Sequence, residues 1–268
     1  MGQFIHNSIT FHYEVKGEGL PFIFLHGLGN DHTHAFNTME IRDGVQLISL
    51  DQHGHGTSGY DWDHMNFDTM ADDVVALADH LGLERFLVGG ISMGAGVSVN
   101  LAIRYPKRLL GAVLIRPAWM DGPMEPDFIQ WFAKAYEYIN QEDGLRKYQQ
   151  DPLVQRVCAD WGLPDNGNGY FESESCHRMN KKFLIMPPSQ PIAHRDQLAQ
   201  IDLPVLVISC HDDPIHPFAY GQWYADQIPG AQFVEVPAKA VDAQGYRDQL
   251  NGSIYGWLDA CKVKMSEK

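Results

Sequence analysis

The segment Gly90-Ile91-Ser92-Met93-Gly94 sets a hydroxyl nucleophile between two glycines. The apolar run Phe86-Leu87-Val88-Gly89 precedes it, and Ala95 to Tyr105 follows as a segment that reads as a helix stopped by Pro106. A strand, a Gly-x-Ser-x-Gly turn and a helix make a nucleophile elbow. The glycines permit a turn sharp enough to lift the hydroxyl above a sheet edge, and the helix points the positive end of its dipole at it. Such a serine suits attack on an acyl carbon. That chemistry needs a base to take its proton, a group to orient the base, and N–H donors for the oxyanion. Alone, the five-residue pattern also describes a tightly packed strand-to-helix turn, so the surrounding elements decide.

Two similar strand-to-loop passages lie upstream. Phe22-Ile23-Phe24-Leu25 runs into His26-Gly27-Leu28-Gly29-Asn30, and Leu47-Ile48-Ser49-Leu50 into Asp51-Gln52-His53-Gly54-His55-Gly56-Thr57-Ser58. With the elbow after both, this order resembles the alpha/beta-hydrolase superfamily over most of the chain, residues 10 to 258. The resemblance implies an α/β fold: a mostly parallel eight-stranded sheet with helices on both faces and a helical lid. The His26-Gly27 loop resembles the family's oxyanion loop, which assigns the oxyanion hole to the backbone N–H groups of Leu28 and Met93. The passage from Asp51 to Ser58 resembles the turn after the family's fourth strand, with His53 where many members carry arginine.

The family's chain order is serine, acid, histidine. Ser209-Cys210-His211-Asp212-Asp213-Pro214 resembles its strand-end turn and makes Asp213 the acid, in preference to Asp212. Both aspartates also suit a cap or a solvated turn. The family's histidine is missing. Its place, just past the last core strand, reads Val236-Pro237-Ala238-Lys239-Ala240-Val241-Asp242-Ala243, and no histidine follows His216. Val241 or a neighbour stands at the expected position. Four readings compete. In one, His216 supplies the base from the loop of Asp213, with His211 or His26 as substitutes. In another, Lys239 does so as in serine–lysine hydrolases, although lysine is usually exposed. In a third, the pocket binds a ligand without hydrolysis. In the last, the substitution marks an engineered or damaged copy. The catalytic candidates are therefore Ser92, Asp213 and His216, for acyl transfer on an uncharged or weakly polar small ester, lactone or similar molecule.

Composition narrows the partners. The 268 residues, 44% hydrophobic, suffice for one sizeable core. A net charge of −14, from 34 acids and 20 bases, argues against nucleic acid and anionic membranes. A small-molecule substrate remains, and the sequence leaves the oligomeric state open. Cys158, Cys176, Cys210 and Cys261 show no paired spacing, so neither zinc nor a disulfide framework is expected. The His-x-His pairs at 32–34 and 53–55 lack a complete ligand set, and no metal is expected. Gly94 and Gly96 do not continue into a dinucleotide fingerprint, so no cofactor is expected. The start of the chain lacks a charged-then-apolar signal, and no apolar run reaches spanning length, so a cytoplasmic enzyme is expected.

The elements that must carry these residues are legible in outline. Residues 3–6 and 9–15 read as a hairpin turning at Asn7-Ser8. Strands follow at 22–25, 47–50, 86–89, 111–115, 205–208 and 233–236. Helical spacing is clearest over 67–81, with Asn66 as N-cap and Gly82 as stop, and a further helix is expected near 218–228. Strands alternating with helices predict parallel pairing. The rhythm breaks after Ile115. The expected organisation is a core domain in two parts, 1–116 and 201–268, interrupted by a helical lid insertion at 117–200. Within the insertion, 165–169 and 187–191 read as loops. Its aromatic residues suit either the packing of its helices or the wall of an apolar pocket, and Phe128, Trp131, Phe132 and Ala135 recur at helical spacing.

Overall fold

Apolar runs become strands, the central ones buried on both faces and the edge ones only in part. In the computed structural model, which describes residues 1–163 and 167–266 with side chains as far as Cys261, these are β1 (Gly2–His6), β2 (Ile9–Lys16), β3 (Gly19–Leu25), β4 (Gly44–Leu50), β5 (Phe86–Ile91), β6 (Leu109–Ile115), β7 (Val205–Ser209) and β8 (Gln232–Glu235). They form one eight-stranded sheet in the order β1-β2-β4-β3-β5-β6-β7-β8. The β1–β2 and β2–β4 pairs are antiparallel and the others parallel, so the sheet is mixed and mostly parallel, as expected. The hairpin turns at Asn7 and Ser8, both at positive φ.

Alternation along β3 shows why the strands read as unbroken apolar runs. Ile23 and Leu25 join the core on one side of the sheet, Phe22 and Phe24 that on the other. The first core takes in α2 (Phe67–His80) and α3 (Met93–Arg104) through Val74, Leu77, Val97 and Leu101. The second takes in Ala35 of α1 (Thr33–Thr38) and Leu250, Ile254 and Leu258 of a long C-terminal helix, Ala243–Ser266. Asn66 caps α2, its side chain accepting the Thr69 N–H at 2.9 Å. Helix α3 begins two residues earlier than its spacing predicts, because the Ser92 carbonyl accepts the first helical N–H groups, those of Ala95 and Gly96.

Between β6 and β7 the chain forms α4 (Pro126–Tyr138), α5 (Gly144–Gln150), α6 (Pro152–Trp161), α7 (Asn168–Glu172), α8 (Glu174–Arg178) and α9 (Lys182–Ile185), with no strand among the described residues. The expected loop at 165–169 is corrected in part. Asp165 and Asn166 lie outside the described residues, and α7 already starts at Asn168. Gly167, at φ 78°, turns the chain into this helix and accepts the Tyr170 N–H at 3.0 Å. Residues 187–191 are loop. Past β7 lies α10 (Phe218–Gln227), and α11 is the C-terminal helix. Among the described residues no helix is long and apolar enough to cross a membrane.

Candidate active site

Ser92 follows β5 directly, with φ 58° and ψ −116°. Positive φ costs a residue with a side chain on the order of 1–3 kcal/mol, so the surrounding structure must hold it there. Its N–H donates to the Ile115 carbonyl at the end of β6, at 3.0 Å. The flanking glycines have steric reasons. A Cβ on Gly90 would meet the backbone of Gly94, and one on Gly94 the carbonyl oxygen of Leu25. Strands β3 and β5 and the start of α3 thus touch backbone to backbone. A Cβ on Gly27 would stand 3.3 Å from the Ser92 Cβ, so the His26-Gly27-Leu28 loop lies alongside the serine. Among the described residues, the N–H groups of Leu28 and Met93 meet no acceptor. For Met93 this follows from its place in the first turn of α3.

Two strands further along, the turn after β7 carries Asp212, at φ 57°, and then Asp213. His216 Nδ1 donates to Asp213 Oδ1 at 2.8 Å, and Arg116 Nη1 to Oδ2 at 2.7 Å. Arg116 is the first residue past β6. It sits at φ 43°, and its N–H donates to the Ile208 carbonyl at 2.7 Å. Burial alone would raise the Asp213 pKa, but His216 and Arg116 outweigh it and hold the carboxyl well below its usual range. An ionised Asp213 keeps the proton of His216 on Nδ1 and leaves Nε2 with its lone pair. That nitrogen is buried and has no hydrogen-bond partner among the described residues, and the same holds for Arg116 Nε and the Tyr246 hydroxyl. Ser92 Oγ makes no hydrogen bond to His216 among them. Ser92, Arg116 and Asp212 are three of the six non-glycine residues at positive φ among the described residues, and they follow the adjacent strands β5, β6 and β7.

The other basic groups considered have different surroundings. His211 stacks on Phe218, with ring centroids 3.9 Å apart, and lies 3.6 Å from Glu235. His26 is fully buried and uses both nitrogens. Nδ1 donates to the Gly27 carbonyl at 2.9 Å, and Nε2 accepts the Gln52 N–H at 3.1 Å. Burial lowers its pKa to about 4, so it is a neutral clamp between two loops with no nitrogen left for a proton. Lys239 shares a cavity wall with Asp213 and Arg116, and makes no ion pair among the described residues. Val241, near the family's histidine position, is 78% exposed.

One imidazole escaped the sequence reading. His34, on α1, has a buried Nδ1 without a partner among the described residues. Burial, then His26, Arg116 and Lys239, lower its pKa to about 3, so it is neutral and within electrostatic reach of both cations. In sequence it is half of a His-x-His pair, which suggests a metal and not this place. Asp31, His32 and Asp51 bring potential ligand atoms within 4.8 Å. They already serve the loops, however. Asp51 Oδ1 accepts the backbone N–H and the ring of His32, each at 2.8 Å, and Oδ2 accepts the N–H and hydroxyl of Thr57. His53 is likewise structural, accepting the Asp61 N–H at 2.8 Å and lying 3.3 Å from Asp73. The recurring apolar residues of α4 are buried, and none of the insertion's aromatic residues lines the cavity beside Asp213.

The model of the alpha/beta hydrolase fold family matches residues 21–150. The AB hydrolase superfamily protein YisY of Bacillus subtilis is 31% identical, over 83% of this chain and 85% of that protein. The 3-oxoadipate enol-lactonase 2 of Acinetobacter baylyi is 29% identical, over 70% of this chain and 69% of that protein. Among solved structures, a thermophilic esterase from Thermogutta terrifontis superposes with a TM-score of 0.68 at 24% identity, over 94% of both chains.

Proposed function

The chain belongs to the alpha/beta-hydrolase superfamily, and from that premise we propose that it is a serine-type hydrolase acting on a small ester, lactone or similar acyl substrate through an acyl-enzyme at Ser92. Ser92 Oγ attacks the acyl carbon while His216 Nε2 takes its proton, and Asp213 stabilises the imidazolium that forms. The N–H groups of Leu28 and Met93 receive the oxyanion. The leaving oxygen collects the proton from His216; a water that gives a proton to the same nitrogen then attacks the acyl carbon, and His216 passes that proton to Ser92 Oγ as the acid is released. Residues 117–200 serve as a lid that excludes bulk water from these steps.

One observation carries this reading: a strained, glycine-flanked Ser92 on the same sheet edge as an Asp213–His216 pair whose Nε2 is unspent. A second reading, a ligand-binding protein that has lost hydrolysis, draws on two others. Val241 is exposed near the position of the family's base, and Arg116 occupies the second oxygen of Asp213. Labelling with a fluorophosphonate, followed by intact mass and peptide mapping, separates them. The hydrolase reading expects one label, on Ser92, and none in Ser92→Ala. A folded wild type that stays unlabelled overturns it and leaves the binding protein.

A further inference from the structure

A cavity of about 480 Å³ lies beside the Asp213–His216 pair. Its wall combines Arg116, Lys239, Asp212 and Asp213 with apolar Leu163 and Ile215, and Ser92 is not part of it. We propose that this cavity is a carboxylate-binding subsite in which the Arg116 guanidinium and Lys239 Nζ hold the acid group of a ligand with a short aliphatic chain. Resting on the hydrolase reading, this makes the substrate an ester or lactone that also carries a carboxylate, in place of the uncharged or weakly polar molecule expected from the sequence.

Arg116 is held at positive φ and spends Nη1 on Asp213, while its side chain remains only 13% exposed. Its Nε is buried with no acceptor among the described residues. The part of the guanidinium that reaches the cavity wall offers a carboxylate oxygen a charge-assisted hydrogen bond. Lys239 is the second cation, without an ion pair among the described residues, in a chain whose net charge is −14. Asp213 attracts Lys239 electrostatically, but its oxygens are engaged by Arg116 and His216 and it makes no ion pair with Lys239. The formal charges of the wall, two cations against Asp212 and Asp213, balance. Such a wall favours a monoanion with an apolar tail over a dianion such as phosphate. The location also fits. Ile115, directly before Arg116, accepts the Ser92 N–H, so the backbone that carries Arg116 runs one strand from that of the serine, a spacing of about 4.8 Å. A carboxylate held there leaves a short chain to bring an acyl carbon to Ser92.

The test is an amide-detected NMR titration of the full chain with butyrate, its uncharged isostere butyramide, and inorganic phosphate, on wild type, Lys239→Met and Lys239→Arg. Butyrate is expected to shift amides at 116, 210–213, 215 and 239 and to bind about tenfold tighter than butyramide. Lys239→Met is expected to lose about that factor and Lys239→Arg to regain most of it. Equal binding of butyrate and butyramide, unchanged affinity in Lys239→Met, or phosphate binding as tightly as butyrate would each overturn the proposal. The outcome is separable from that of Ser92 labelling. A chain that binds butyrate through Lys239 yet stays unlabelled keeps the subsite and loses the hydrolase, and a labelled chain indifferent to butyrate does the reverse.

Discussion

Two clusters of histidine and aspartate share the C-terminal edge of this sheet, and they are built to opposite ends. The cluster past β3 and β4, with His26, Asp51 and His55, is sealed, each of the three fully buried. Lys182 of α9 closes over it, its Nζ donating to the Gly54 carbonyl at 3.1 Å. The cluster past β5, β6 and β7, with Ser92, Arg116, Asp213 and His216, is half-open and borders a cavity. Unpartnered buried atoms occur in both, at His55 Nε2 in the first and at His216 Nε2 in the second. What separates them is access and strain. The sealed cluster has its positive φ values at Gly54 and Gly56, whereas the open one forces Ser92, Arg116 and Asp212 into that region. A count of histidines therefore says little about chemistry. Spare hydrogen-bonding capacity that a ligand can reach, on backbone held against its preference, says more.

Exchanging the roles of the two clusters is the most direct way to break this contrast. His216→Ala is expected to slow fluorophosphonate labelling of Ser92 by roughly a thousandfold, as loss of a triad base does, while the protein stays folded. His26→Ala is expected to lower stability by about 2–3 kcal/mol in urea melts, since it strands the buried Gln52 N–H and opens a cavity. If His34→Ala instead abolishes labelling and His216→Ala leaves it unchanged, the base is His34 and the contrast must be redrawn around α1.

Acid probes the buried imidazoles, His26 in the sealed cluster and His34 beside the open one. Unfolded, His26 takes its proton near pH 6.5, and folded only near pH 4. Its contribution to stability is therefore fully present above pH 6.5 and lost as pH falls through the folded value. The difference amounts to about 3 kcal/mol. Urea midpoints between pH 6.5 and 4 should fall accordingly. The carboxylates held low, Asp51 and Asp213, lose their share only as pH drops further, below 3.8. A flat midpoint across the first window would show that neither His26 nor His34 is kept neutral by burial.

The smallest effect concerns the elbow's backbone. Gly94→Ala drives a Cβ into the Leu25 carbonyl and is expected to cost about 1–3 kcal/mol. Gly252→Ala on α11, with nothing within 4 Å of the added Cβ, is expected to gain about 0.5–1 kcal/mol. Thermal melts of the two variants should move in opposite directions, and a tolerated Gly94→Ala would show that the contact of β3 with α3 is looser than described.

Much of the frame was legible in the residues. The sheet's strands read clearly because parallel strands covered on both faces are continuous apolar runs. The elbow read clearly because its glycines answer local contacts. The chain between β6 and β7 was harder, since helices as short as Glu174–Arg178 and Lys182–Ile185 hold too few turns to show a period. Arg116 gave no signal, for a charged residue after an apolar strand ordinarily marks the return to solvent. His34 was hidden by its pairing with His32.

The sequence by itself determined the strands, their alternation with helices, and the turn that presents Ser92. All of these follow from periods and steric demands that act within a few residues. Only the tertiary structure decided that His216 and not His211 meets Asp213, that Arg116 takes the second oxygen from 97 residues away, and that His34 joins their surroundings. The first contact is local but its geometry is set by how the turn after β7 folds, and the other two depend on how β5, β6 and β7 lie side by side, which no local pattern in the chain records.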